Sequence, residues 1–133
     1  MKGIGAQVTR ALPLGCVVNT CDNSGAKKLK IFAVKGHKTV KGRLQAAGIG
    51  DVVHASVVSG SPEMRKKTVL AVITRQKQEF RRGNGMRIKF EDNAAVVLKD
   101  DKGNPKGTLI KGPVPKEVVD RYPGIAKISS IVV

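Results

Sequence analysis

Tryptophan is absent from this 133-residue chain, and Phe32, Phe80, Phe90 and Tyr122 are its only aromatic residues. Proteins that hold single-stranded nucleic acid without reading its sequence usually stack the bases on aromatic platforms. Composition argues against that as the main mode here. Cysteine is also scarce. Cys16 and Cys21 sit an odd number of positions apart, so on one strand they face opposite ways and make no local disulfide. Two thiols do not complete a zinc site, and both read as small buried hydrophobes in a reducing compartment. No apolar run approaches the roughly 20 residues of a transmembrane helix. The opening MKGIGAQVTRALPLG lacks the apolar stretch of a secretory signal.

Catalytic patterns are missing too. Gly3-Ile4-Gly5, Gly48-Ile49-Gly50 and Gly83-Asn84-Gly85 each begin a GxGxxG pattern without its third glycine, and no Walker A motif occurs. Asp51 and His54 are three apart on an expected strand and therefore point to opposite faces. Glu91-Asp92 and Asp100-Asp101 are adjacent pairs in expected turns, where adjacency does not give the converging geometry that acid–base chemistry needs. No catalytic residue, cofactor or metal site is expected.

Acid is the last deficit. Ten Asp and Glu stand against 25 Lys and Arg, for a net charge of +15 and a pI near 10.3. Such an excess points to a polyanionic partner, most simply nucleic acid. Its location sharpens the inference. Lys27 to Arg43 holds seven Lys or Arg and no acid, and Pro62 to Lys89 holds nine against two Glu. The rest of the chain is close to neutral, which an evenly solubilising surface would not produce. With few aromatics, the fitting mode is backbone and shape contact to folded RNA through Lys and Arg. The residues expected to make it are Lys27, Lys28, Lys35, His37, Lys38, Lys41 and Arg43 in the first patch. Arg65, Lys66, Lys67, Arg75, Lys77, Arg81, Arg82, Arg87 and Lys89 are those in the second. The Lys35–Arg43 loop has only Val40 as an apolar anchor, so it is expected to be mobile when free and ordered by RNA.

Taken in order, residues 1–13 read as an arm or loosely held lead-in to a single domain over 1–133. Gly15 to Cys21 is a strand, and Asp22-Asn23-Ser24-Gly25 is a turn. Lys28 to Val34 alternates, with Leu29, Ile31 and Ala33 on one face and Lys28, Lys30 and Phe32 on the other, as in a half-buried strand. Strands follow over Val52–Val58, Thr68–Phe80, Met86–Phe90, Ala94–Leu98 and Thr108–Ile110. The Thr68–Phe80 strand is apolar in its first half and polar on both faces from Arg75. Asn84-Gly85 then predicts a two-residue type I′ turn, which would put Arg82 opposite Arg87 in a basic ribbon. Pro115 to Arg121 is the one clear helix, with Pro at its start and Pro123 beyond its end. Residues 125–133 are apolar but ambiguous in type. Short strands between turn signals, with one helix, predict a mainly β protein built as a small closed barrel. From the near-neutral C-terminal region, Glu117, Val118, Asp120, Arg121 and Tyr122 are expected to form a protein-binding surface.

Three segments carry a family resemblance. Asp22-Asn23-Ser24-Gly25-Ala26-Lys27, Lys89-Phe90-Glu91-Asp92-Asn93-Ala94-Ala95-Val96-Val97 and Gly107-Thr108-Leu109-Ile110-Lys111-Gly112-Pro113-Val114 stand in the right order and spacing. Together they resemble the universal L-fourteen family of large-ribosomal-subunit proteins. The arm through Pro13 and the segment Pro62–Lys67 are similar to its archaeal and eukaryotic branch. The resemblance implies a five-stranded closed β-barrel with a projecting β-ribbon and a short C-terminal helical portion. It implies a structural constituent of cytoplasmic ribosomes that binds large-subunit rRNA and lies at the intersubunit interface, touching small-subunit rRNA. Its implied protein neighbours are ribosomal protein three, the L-twenty-four-e type protein and the anti-association factor, initiation factor six. The alternative from residues alone is a free-standing architectural barrel that binds nucleic acid.

Overall fold

The alternation of Leu29 and Ile31 with Lys28 and Lys30 does build a half-buried strand, with the lysines exposed and the aliphatic side chains inside. The computed structural model describes residues 3–39 and 41–133; Val40 lies outside the described residues. In chain order the elements are β1 (Ala6–Gln7), β2 (Leu12–Pro13), β3 (Val17–Thr20), β4 (Ala26–Val34), β5 (Ala46–Ala47), β6 (Val52–Gly60) and β7 (Thr68–Arg75). They continue with β8 (Phe80–Arg82), β9 (Arg87–Ile88), β10 (Ala94–Leu98), β11 (Ile110–Val114), α1 (Lys116–Arg121), α2 (Pro123–Ile128) and β12 (Ser129–Val132). Five strands close a barrel in the order β10-β3-β4-β6-β7, with β10 and β3 parallel and every other pair antiparallel.

Two apolar clusters divide the core. One fills the barrel and includes Val18, Leu29, Ile31, Val53, Val57, Ile73 and Val97. The other lies between the outer side of β7 and β10 and the C-terminal segment, and includes Val72, Val96, Phe80, Ile110, Val118 and Ile125. Strand β10 is therefore buried along its whole length, which is why Ala94–Leu98 is continuously apolar instead of alternating. The C-terminal segment is a β-α-α-β unit in which β11 and β12 pair in parallel. Pro123 both ends α1 and occupies the first turn of α2, as suits a residue without an N–H. The strand expected over Thr108–Ile110 instead begins at Ile110 and runs through Gly112 and Pro113.

The β4–β6 ladder is irregular in three places. Its register steps from Ala26↔Gly60 to Lys28↔Ser59, then to Leu29↔Val57, and later from Ile31↔Ala55 to Ala33↔His54. Each step leaves one residue without an opposite number: Lys27, Val58 and Phe32. All three are exposed. The inward positions of β4 become Ala26, Leu29, Ile31 and Val34, so Ala33 loses the place that strict alternation would give it.

The ribbon also differs from expectation. Strand β7 stops at Arg75, because Gln76 is fully buried and its amide is used on three sides. Its Oε1 accepts from the Ile49 N–H at 3.1 Å, and its Nε2 donates to the carbonyls of Thr9 and Gln78 at 3.1 and 3.0 Å. The hairpin proper is β8–β9, where Arg81 faces Arg87 and Phe80 faces Ile88. Gly85 N–H donates to Arg82 O and Arg82 N–H to Met86 O. The loop is thus three residues long, Gly83-Asn84-Gly85, with the positive φ of 90° on Gly85 alone. That is a turn followed by a glycine bulge, not the two-residue type I′ loop. Nor are residues 3–13 a loose lead-in: Ala6 and Gln7 pair with Arg82 and Arg81, and Leu12 and Pro13 with Ala47 and Ala46.

At the end of β3, Asp22 is buried; its carboxylate accepts the Val97 N–H at 3.1 Å and the Ser24 hydroxyl at 2.9 Å. Burial nonetheless pushes its pKa above the ordinary value, with these hydrogen bonds opposing. The folded protein then holds a proton there more readily than the unfolded chain, so this group's contribution to stability rises as pH falls through its folded pKa. The stability difference, wild type minus Asp22→Asn, is expected to rise as pH is lowered from neutrality into the carboxylate range. Urea titrations across pH check this; a flat difference would contradict it.

Candidate nucleic-acid interface

The expected cations separate into two groups once folded. Lys27 and Lys28 are exposed on β4, joined by Lys30. The turn carrying Arg65, Lys66 and Lys67 is anchored by buried Met64 and tied to the start of β4 by Ser61 N–H donating to Gly25 O at 2.9 Å. Two clusters some forty residues apart in sequence thus meet at one end of the barrel wall. Lys35, Lys38, Lys41 and Arg43 are exposed beyond the other end of β4. His37 closes the base of that loop: its Nδ1 lies 3.1 Å from Ala46 N and 3.0 Å from Ala46 O. Either tautomer keeps Nδ1 on the backbone, so only Nε2 remains for another partner. Lys77, Arg81 and Lys89 are exposed. Arg87 is exposed as well, though its Nη1 pairs with Glu79 at 3.0 Å.

Arg75 and Arg82 must be removed from the interface. Arg75 is 9% exposed; it pairs with Asp92 at 3.0 Å, and its Nη1 donates to Lys111 O at 3.1 Å. Arg82 pairs through Nε with Glu117 at 2.8 Å, and its Nη2 donates to the Glu117 carboxylate oxygen Oε2 at 3.2 Å and to Val133 O at 2.6 Å. Both guanidinium groups hold the C-terminal unit to the barrel and ribbon. Neither is free for phosphate. Lys30 is the cation that residue-by-residue selection passed over, although its outward place in the β4 alternation already signalled it.

The expected protein-binding set is corrected in the same way. Glu117, Val118 and Tyr122 are buried, at 4%, 0% and 3% exposure. Val118 packs in the second core cluster with Val119 against it, and the Tyr122 hydroxyl donates to Gly50 O at 3.0 Å. Arg121 is half-buried, and its Nη1 lies 3.4 Å from Gly50 O. Asp120 alone of the five is exposed. The helix closes the β7–β10 side of the barrel, which accounts for both of its valines.

Strands β3, β4 and β6 contain no Asp or Glu, and among the described residues the lysines of β4 take part in no ion pair. What remains is a barrel wall whose strands carry lysines and no acid, flanked by two loops rich in Lys and Arg, with Glu63 beside Arg65–Lys67. The sequence matches the family described as ribosomal protein L14p/L23e over residues 11–133. The chain belongs to the L14p/L23e family. It is 55% identical over 133 residues, 100% of both chains, to the large ribosomal subunit protein uL14 of Nanoarchaeum equitans. It is 48% identical over 132 residues, 99% of both chains, to the proteins of that name from Methanococcus vannielii and Methanococcus maripaludis. L14p/L23e proteins are structural ribosomal proteins and not enzymes. The L14p/L23e barrel here is the five-stranded one that the resemblance implied, and among the described residues no helix is long and apolar enough to cross a membrane.

Proposed function

We propose that this chain is a structural constituent of the large ribosomal subunit that binds its rRNA mainly through phosphates. The observation that supports this reading is the convergence of Lys27, Lys28 and Lys30 with Arg65, Lys66 and Lys67, six cations against the single carboxylate of Glu63, on a wall whose strands β3, β4 and β6 hold no Asp or Glu. The exposed Lys35, Lys38, Lys41 and Arg43 extend that surface, and Arg81, Arg87, Lys77 and Lys89 offer a second one along the ribbon. Phosphate neutralisation releases counterions, so about five contacts give a log–log salt slope of about −3.5 to −4.5. Changing Lys28, Lys67 and Arg81 to Gln, two from the barrel wall and one from the ribbon, is expected to flatten the slope by about 2 to 3. All three are exposed, so thermal melting should stay the same. Filter binding to a large-subunit rRNA fragment across a salt series measures the slope. An unchanged slope in the folded triple variant defeats the reading.

One protein neighbour belongs to the C-terminal face. There Asp120 is exposed, and β12 is paired on one side only with Ile131 and Val132 half exposed. The family resemblance ties this face to the anti-association factor, initiation factor six, and implies further contacts, at no stated face, with ribosomal protein three, the L-twenty-four-e type protein and small-subunit rRNA. Asp120→Lys is expected to weaken factor binding without unfolding the helix. Unchanged binding and unchanged subunit joining would remove the assignment.

A further inference from the structure

Phe80 and Tyr122 are buried and Phe90 is partly so, which leaves Phe32 as the one aromatic side chain displayed, half exposed on the outer wall. It is displayed by construction. Phe32 is the extra residue of the bulge between Ile31 and Ala33, and bulges re-aim a side chain out of the regular pleat. Across the ladder, the His54 ring lies against it, with centroids 6.2 Å apart and planes at 35°. The imidazole supports one side of the phenyl group. Lys30 stands two positions back along β4 with its side chain outward, and Val17 of β3 is directly opposite Lys30. A half-exposed phenyl costs solubility and contributes little to the core, so its place on a carboxylate-free basic wall calls for an occupant.

We infer that Phe32, backed by His54 and flanked by Lys28 and Lys30, is a stacking platform for one unpaired nucleotide base of RNA. Every base presents a π-face that an aromatic ring can cover, and neighbouring lysines hold the phosphates on either side. The surrounding charge selects this occupant over a protein loop, because nothing on β3, β4 or β6 would pair with a cationic partner. The inference rests on the RNA-binding reading above and adds to it a contact that salt does not control. A platform of one ring is compatible with a chain poor in aromatics.

The test uses the full chain and a short oligouridylate carrying one 2-aminopurine, followed by fluorescence. The wild type should bind with a salt-dependent slope and quench the 2-aminopurine. Phe32→Ala should bind about 10- to 100-fold more weakly with the slope unchanged. Phe32→Leu, which keeps apolar area but lacks a π-face, should behave like Phe32→Ala, while Phe32→Tyr should retain affinity and quenching. Circular dichroism checks that each variant is folded. Salt-dependent binding of equal strength in wild type, Phe32→Ala and Phe32→Leu would overturn the platform alone, and leave the RNA-binding reading of this wall standing. Failure of the wild type to bind at any salt concentration would overturn both the platform and the RNA-binding reading.

Discussion

Replacing Arg82 with Met is expected to destabilise the protein by about 3 to 5 kcal/mol, the usual loss when one partner of a buried ion pair is removed. The Arg82 and Glu117 side chains are 10% and 3% exposed, so the abandoned carboxylate would keep its charge with neither water nor a cation beside it. The Val133 carbonyl would also lose its 2.6 Å donor. Removing both ends should cost far less. Arg82→Met combined with Glu117→Leu replaces a buried pair with apolar volume, which is often neutral or better. Urea denaturation of the two single variants and the double variant measures the coupling. A loss below about 1 kcal/mol for Arg82→Met would mean that the pair is effectively solvated. The same geometry governs the choice of surface variants. Charge reversal at Glu117 would set two cations together inside the fold and report on stability, whereas Asp120 reports on the surface.

Gly60→Ala is the second large effect, expected at about 3 kcal/mol or more from backbone strain and overpacking together. Gly60 has φ +153°, and an added Cβ would lie 2.6 Å from Gly25 O and 2.9 Å from Ala26 Cα. Those are main-chain atoms at the first rung of the β4–β6 ladder, so no side chain can swing aside. Accommodation requires the strands to part where Ser61 N–H bonds to Gly25 O. Denaturation measures the stability loss. Hydrogen exchange should show it concentrated at Ala26 and Ser61, and near-native protection there would count against the account.

The barrel strands were legible because their apolar residues recur with period two or, for Ala94–Leu98, without interruption. The basic patches and the helix start at Pro115 were legible for equally local reasons. What the sequence concealed depends on distant partners. Nothing near Arg75 or Arg82 in the chain says that Asp92 and Glu117 will neutralise them, so both passed for surface cations. Nothing local marks Gln76 as the buried amide that ends β7, since its three partners come from other segments. The bulges were invisible because period-two reading assumes an unbroken register; alternation put Phe32 outward beside Lys28 and Lys30 but could not place it in a bulge against His54. The α1 surface was misjudged because neither Val118 nor Val119 announces which wall it will cover.

The parallel pairing of β3 with β10 also sets an order of events. Cys21 bonds to Ala95 across 74 positions of chain, and the pairing that closes the barrel spans a similar separation. Contacts so remote must overcome a large loop-closure entropy before they contribute anything, which slows folding. While the chain is being synthesised, β3, β4, β6 and β7 can align well before β10 arrives, leaving β3 and β7 as open edges. Open edges invite pairing between chains. The lysines of β4 and the Arg65–Lys67 turn are already present at that stage. Their mutual repulsion is expected to keep incomplete barrels apart, so the charge proposed to meet RNA in the finished protein would also guard the unfinished one against aggregation.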